Sequence, residues 1–491
     1  MIAKLENHNH SISLLTDLYQ LTMAYGYWNS KMHDKESVFH MYYRTVPFKG
    51  RFCIACGLDD LIEFIDRFAF DQSDLDYLAS LRASDQTPLF TESFIRYLGD
   101  LKIDCDIDAV PEGTPIFPNE PMVRVQGSII QCQLLESVIL NIINFQTLIA
   151  TKAVRICHAA QGDEVLEFGL RRAQGLDGAL SASRASFIGG CTGTSNVLAG
   201  KMFGIPVKGT MAHSWIMAFE DELEAFKQYA EIMPNNCVFL VDTYSTLSGV
   251  KNAIRVGKQL KEKGYQLAGV RLDSGDLAYL SIEARKLLDA AGFKDTLIVV
   301  SNELDEGLIQ SLKIQKAKID TWGVGTKLVT SYDQPALNGV YKLSAIRDQN
   351  ADWDYKIKIS DQISKVTTPG VLQVRRYFNQ ERNLADMIYN IEDGIKNNCQ
   401  MIDPHDSTRR RNFDGNEDFM DLLIPIYQKG EKVYQSPAIS EIRSFAKSQV
   451  DRFHPTIRRL VNPHQFPVGE EQSLNQLKRQ LIIQARKNNK N

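Results

Sequence analysis

His213, in the run GTMAHSW, sits among residues suited to attack on a phosphoryl group. An imidazole with an unperturbed pKa of about 6.5 is mostly neutral and nucleophilic at working pH. The adjoining Gly209 and Thr210 offer an amide and a hydroxyl to phosphate oxygens. A lone histidine is more often a structural hydrogen-bonding residue, so its neighbours carry the reading. Arg271 is the second unusual residue, because it interrupts the apolar run LAGVRLDSGD. A guanidinium there needs a fixed anion, and its planar fork suits a carboxylate or a phosphate. The plain alternative is an ion pair with Asp242 or Asp273.

Three glycine-rich stretches accompany these residues: FIGGCTGTSNVLAG (187–200), VKGTMAHS (207–214) and WGVGTKLVTS (322–331). They contain Ser195, Thr210, Gly325 and Thr326. Glycines let the backbone approach an anion, and amides at helix starts bind phosphate oxygens. None of the three matches the P-loop pattern or the dinucleotide fingerprint. Several loops with spread contacts suit a ligand carrying phosphate at two ends.

These residues need a frame, and the middle of the chain supplies one. Short apolar runs recur at 165–169, 238–245, 267–276, 297–303 and 321–326, and read as buried parallel strands. Amphipathic segments lie between them, with Leu277, Leu280, Ala284, Leu287, Leu288 and Ala291 on one face and Val250, Ile254 and Leu260 on another. Gly264 offers a stop to the second helix. Alternating strand and helix implies a parallel sheet, as an open α/β layer or a barrel. The polar residues fall where each strand ends, which gathers Asp242, Arg271, Asp273, Asp276, Ser301, Asn302 and Thr326 on one face. Taken singly, each reads as a turn former or helix cap; repeated over four units, they read as a shared site.

The rest of the 491 residues divides around that frame. The expected organisation is a mixed α+β domain at 1–128, an α/β barrel domain with the active site at 129–345, and a small C-terminal domain and tail at 346–491. The final helix is expected over Leu474 to Ala485, followed by an exposed basic tail. A net charge of −4 argues against nucleic acid, and Arg409, Arg410 and Arg411 read as a solvated loop. The opening residues MIAKLENHNHSIS contain no apolar stretch for a secretory signal, so a cytoplasmic protein is expected. Ser137 to Thr151 is apolar but interrupted by Asn141, Asn144 and Gln146, and is shorter than the roughly 18 residues a membrane span needs. It reads as a buried helix. Cys53 and Cys56 form a C-x-x-C without a second pair at zinc spacing and read as core packing.

Taken together, LLTDLYQLTMAYGYW (14–28), LEFGLRRAQG (166–175), GGCTGTSNVLAG, GTMAHS, LVDTYSTLSGV, GVRLDSGDL, GVGTKLVT and LNGVYKL (337–343) resemble the nicotinate phosphoribosyltransferase family. The resemblance implies a type II phosphoribosyltransferase fold: an N-terminal mixed domain, an irregular (β/α) barrel and a small C-terminal domain. It implies a ligase-type glycosyltransferase that joins nicotinate to phosphoribosyl pyrophosphate, giving nicotinate mononucleotide and pyrophosphate. ATP drives the reaction through a phosphohistidine, as the first step of NAD salvage from nicotinate. By the same resemblance His213 is the phosphorylated residue, Tyr19, Thr210 and Arg271 lie near nicotinate, and Thr326 binds the sugar phosphate. Phe168 and Arg171 match an aromatic platform and a phosphate-binding arginine of relatives that use nicotinamide. Those relatives carry an acid where this chain has Ser195, and a neutral hydroxyl beside Arg271 would accept a carboxylate. Asp242 and Asp273 are expected to stabilise charge at the ribose carbon or hold its hydroxyls, with Mg²⁺ as the phosphate counter-ion and ATP as co-substrate. Tyr19 is expected to reach the site of a second subunit, making a homodimer. Nicotinamide or quinolinate as the base, and a barrel that only binds a phosphorylated ligand, are the rival readings.

Overall fold

The computed structural model describes residues 11–360, 362 and 365–488. Residues 1–10, on which most of the leader reading rests, and 489–491 of the basic tail lie outside the described residues. The chain forms two compact units: Ile149–Pro335, and a second made from the chain up to Leu148 together with the chain from Ala336 onward.

The Ile149–Pro335 unit is the α/β frame. Six parallel strands pair in the order Gly193–Thr194, Glu164–Glu167, Thr321–Val324, Leu297–Val300, Gly269–Leu272 and Val238–Leu240. A single bridge from Thr194 to Val207 extends the first edge. The five apolar runs seen in the sequence are five of these strands, trimmed at their ends where the chain turns. Helices Gly175–Ile188, Thr246–Glu262, Leu277–Ala290 and Glu306–Ile314 follow strands; the last three bury one apolar face each, and the first is buried all round from Ala179 onward. Helix Thr246–Glu262 runs so close to the sheet that a Cβ on Gly249 would meet the Val241 carbonyl oxygen at 2.1 Å. Only glycine allows that approach. The helix ends where Gly264, at φ +84°, lets Tyr265 donate back to the Leu260 carbonyl.

The other unit joins the segments expected on either side of the α/β frame. Its seven-stranded antiparallel sheet runs in the order Asp354–Tyr355, Gly339–Arg347, Glu36–Tyr43, Val123–Ser128, Asp106–Ala109, Ile424–Gln428 and Glu431–Lys432. Gly339–Arg347 pairs along the whole of Glu36–Tyr43, which moves the boundary back from 345 to Ala336. Ile424–Gln428 covers the far side of Asp106–Ala109, so the N-terminal and C-terminal segments share one sheet and one compact unit. A strand edge in either segment alone would leave its amides and carbonyls unpaired. A second sheet of six strands, centred on Leu372–Phe378 and Asn383–Asn390, completes this unit.

Three local expectations take a different form. The apolar helix is longer than expected, Glu136–Ala160, and mostly buried. Its charged Lys152 is accommodated by Glu306 at 2.7 Å and Asp333 at 2.6 Å. Arg410 and Arg411 open the strand Arg410–Phe413, paired antiparallel with Cys399–Ile402, rather than lying in a loop. The final helix is Gln472–Asn488 and so includes Arg486 and Lys487. Cys53 and Cys56 are buried in the core.

One ionic cluster ties the second sheet to the rest of its unit. Arg376 is fully buried, its Nε donates to Asp386 at 2.8 Å, and its Nη2 donates to both Asp386 and the Pro115 carbonyl. Glu120 lies beside this pair, and burial, reinforced by the Asp386 charge, holds its carboxyl well above the usual carboxylate range. The folded protein therefore keeps a proton on Glu120 that the unfolded chain releases above pH ~4.3, so this group makes stability fall as pH rises from there towards its folded pKa. Glu120→Gln should fold normally and lessen that fall. Urea unfolding of both proteins at pH 5 and pH 8 measures it, and an equal pH response in parent and variant would mean that Glu120 is ionised in the fold.

Candidate active site

The candidate site lies along the carboxyl edge of the parallel sheet. Leu240, Leu272, Val300 and Val324 end four strands, and Asp242, Asp273, Ser301 and Gly325 follow within one or two residues. The first turn amides continue the ladder, with Val241 donating to the Arg271 carbonyl, Ser301 to Leu272 and Phe168 to Val324. The backbone thus fixes where each polar side chain leaves the sheet.

Arg271 is the next-to-last residue of its strand, paired in register with Leu240 and Val299. Its side chain is only 15% exposed. Nε donates to Ser301 Oγ at 2.9 Å, Nη1 to Thr210 Oγ1 at 2.9 Å and Nη2 to Asp273 Oδ1 at 3.1 Å. The guanidinium carbon lies 5.8 Å from the centre of the Phe168 ring. Of the two ion pairs considered from sequence, the one with Asp273 is formed.

Asp273 is shared by the whole constellation. Its Oδ1 also accepts from Ser301, its Oδ2 stands 3.8 Å from His213 Nε2, and its amide donates to Asp242 Oδ2 at 3.0 Å. Asp242 Oδ2 takes a second bond from Ser274 Oγ at 2.6 Å. Its Oδ1 is buried with no hydrogen-bond partner among the described residues. His213 begins the short helix His213–Met217, which the Trp215 indole anchors by donating to the Ala225 carbonyl at 3.1 Å. The imidazole is 41% exposed, with Nδ1 3.1 Å from Thr243 Oγ1.

The structure brings together His213, Asp242, Asp273, Arg271, Thr210 and Phe168. Gly325 follows the same edge, and a Cβ there would stand 3.0 Å from the Phe168 carbonyl oxygen. Thr326 opens the short helix Thr326–Val329, its hydroxyl 3.4 Å from Glu303 Oε1. Arg171 lies in the exposed turn Leu170–Arg172 and makes no ion pair or hydrogen bond among the described residues. Tyr19 belongs to the other unit, half exposed on helix Leu18–Asn29. Ser195 follows the edge strand Gly193–Thr194, its amide donating to the Glu167 carbonyl at 2.9 Å, and no hydrogen bond joins it to Arg271 among the described residues. Asp276 and Asn302 follow the plain reading. Asp276 caps helix Leu277–Ala290 by accepting from Tyr279, and Asn302 turns the chain at φ +98° while accepting from the Glu303 amide.

Glu167 was missed in the sequence. It is 1% exposed, and its carboxylate accepts from the Gly169 amide, from Ser183 Oγ at 2.9 Å and from Thr194 Oγ1 at 2.5 Å. Burial pushes its carboxyl up, and these three bonds pull it back down, leaving it raised. It fixes the loop that carries Phe168 and, through Thr194, the start of the loop after Gly193–Thr194. The available signal was a charge inside the apolar run VLEFG, the same signal that marks Arg271.

Comparison with known proteins agrees along nearly the whole chain. Residues 14–144 match the N-terminal domain of nicotinate phosphoribosyltransferase, residues 164–382 the nicotinate phosphoribosyltransferase family, and residues 373–478 its C-terminal domain. The chain is 44% identical over 464 residues to the nicotinate phosphoribosyltransferase of Bacillus subtilis, covering 93% of this chain and 92% of that protein. The chain belongs to the nicotinate phosphoribosyltransferase family. Its human relative is 33% identical over 515 residues, covering 93% of this chain and 94% of the relative. The crystal structure of human nicotinic acid phosphoribosyltransferase superposes with a TM-score of 0.82 at 31% identity, covering 95% of this chain and 99% of that one.

Within this family member, the Phe168 ring has room because the neighbouring strand carries Gly323. A Cβ at 323 would come within 2.6 Å of the ring. Gly323→Ala should therefore cost roughly 1–3 kcal/mol through overpacking, and much less in a Phe168→Ala background, where the clash is gone. A double-mutant cycle of chemical unfolding reads this directly. Equal costs in both backgrounds would place the ring elsewhere.

Proposed function

We propose that the chain transfers the phosphoribosyl group of phosphoribosyl pyrophosphate to nicotinate, giving nicotinate mononucleotide and pyrophosphate, and couples this to ATP through phosphorylation of His213. The observation that carries the choice of base is the Arg271 guanidinium held over the Phe168 ring at 5.8 Å. Its hydrogen bonds leave one N–H of Nη2 without a protein partner among the described residues. A flat ring with a carboxylate substituent suits an aromatic face beside a cationic donor.

The transfer needs no general base. The pyridine nitrogen attacks the anomeric carbon with its lone pair, the bond from that carbon to pyrophosphate breaks, and no proton is lost. Asp242 and Asp273, locked together by the Asp273 amide, present carboxylate oxygen to the cationic ribose carbon or its hydroxyls. The unpartnered Asp242 Oδ1 suits a Mg²⁺ ion that otherwise keeps water and phosphate ligands, and such an ion would neutralise the leaving pyrophosphate.

For energy coupling, a His213 tautomer whose Nδ1–H donates to Thr243 leaves the lone pair on Nε2. Nε2 attacks the γ-phosphorus of ATP, ADP departs, and the Asp273 carboxylate at 3.8 Å steadies the charged ring. Arg171 and Thr326, both at the rim, are assigned to phosphate. A homodimer in which Tyr19 of one copy serves the other's site agrees with helix Val197–Phe203, which leaves Val197, Leu198 and Met202 exposed. We assign the protein to the cytoplasm, where this reaction opens NAD salvage from nicotinate.

His213→Ala should abolish incorporation of labelled γ-phosphate from ATP while leaving slow, ATP-independent transfer. Acid-labile phosphate on the variant would move the nucleophile to another residue.

Arg271→Ala should cost nicotinate more than nicotinamide. A hydrogen bond to a charged group contributes ~1.5–3 kcal/mol, so the preference should narrow about 10- to 150-fold in kcat/KM. Both bases should also lose activity in common, because Thr210, Ser301 and Asp273 lose their shared partner. Arg271→Lys should recover only part of the preference, having charge without the fork. An equal loss for both bases would assign Arg271 to phosphate or structure.

A further inference from the structure

The three consecutive arginines at 409–411 take no part in the site described above, yet they do not simply face solvent. They line one wall of a cavity of about 690 Å³ in the unit that holds both chain ends. Arg51 and Arg459 come to the same cavity from segments far apart in sequence, and Asp403 is its single carboxylate among the described residues. One of its oxygens, Oδ1, accepts from the His405 amide at 2.8 Å and the Asp406 amide at 3.3 Å.

The arginines are placed by backbone oxygens rather than by acids. Arg51 Nε donates to the Pro463 carbonyl at 2.8 Å, Arg459 Nε to Asn462 at 2.7 Å, Arg410 Nε to Ser407 at 3.0 Å and Arg411 Nη1 to Leu384 at 2.8 Å. Among the described residues only Arg409 has a carboxylate partner, Asp406 at 3.4 Å. Arg410 Nη1 also donates to the Gln400 side-chain oxygen at 3.1 Å, and each of these four keeps further N–H groups without a protein partner among the described residues. Five guanidinium groups around one cavity repel one another, and a multiply charged anion relieves that repulsion best. The fork geometry of arginine favours phosphate oxygens. The volume is that of a small-molecule pocket, and the chain's net charge of −4 disfavours a long nucleic acid.

We propose that this cavity is an accessory binding site for a polyphosphate group, borne by a nucleoside triphosphate or present as inorganic tripolyphosphate, separate from the strand-end site. The inference does not depend on the proposed reaction.

The test uses the full chain, inorganic tripolyphosphate and a non-hydrolysable ATP analogue. Hydrogen–deuterium exchange should slow at residues 399–413 and 459–468 on adding tripolyphosphate. Arg410→Gln with Arg459→Gln, both at exposed positions, should weaken its binding at least tenfold in calorimetry without moving the melting temperature. Protection of the same segments by the ATP analogue at lower concentration identifies a nucleotide as the source, and equal or weaker protection identifies the free polyphosphate. Absence of protection in these segments, or unchanged affinity in the double variant, overturns the proposal. A short single-stranded RNA that protects them tenfold more tightly than tripolyphosphate also overturns it.

Discussion

A guanidinium at the end of a buried strand is the constraint around which the α/β unit is organised. Arg271 cannot be left without partners at 15% side-chain exposure, so neighbouring loops are shaped to meet it. Ser301 comes from the next strand, Asp273 from its own turn and Thr210 from the glycine-rich segment before His213. Through Asp273 the same network reaches Asp242 and stands beside the imidazole. Arg271 and His213 are therefore linked through one carboxylate.

Glu167 performs the matching task on the other side of the sheet. A buried carboxylate with three donors is rigid, and that rigidity passes to the loop bearing Phe168. Gly323 supplies the remaining requirement, an empty volume beside the ring. The Phe168 ring is thus set by one buried carboxylate and by a missing side chain.

The α/β frame was legible because each βα unit is local: a two-sided buried strand is a short apolar run, and a covering helix shows a 3.6-residue stripe. Arg271, His213 and the strand-end acids stood out because charge or imidazole interrupted such patterns. What stayed hidden was non-local. Glu36–Tyr43 gives no sign in its residues that its partner is Gly339–Arg347, nor Asp106–Ala109 that Ile424–Gln428 will cover it. Asp276 is a residue of the right type and edge whose oxygen is spent on a helix cap.

The discontinuous unit has a consequence for synthesis. Glu36 and Arg347, partners in one ladder and joined by a side-chain ion pair, are separated by 311 residues. At the ribosome's ordinary pace the first waits roughly 15–60 s for the second. Meanwhile the Ile149–Pro335 unit, whose strand pairs all lie within itself, can close. The nascent chain thus carries an unpaired, apolar strand edge through much of its translation. Protection of that edge, by a chaperone or by slow elongation, becomes a requirement for yield that the finished fold no longer displays.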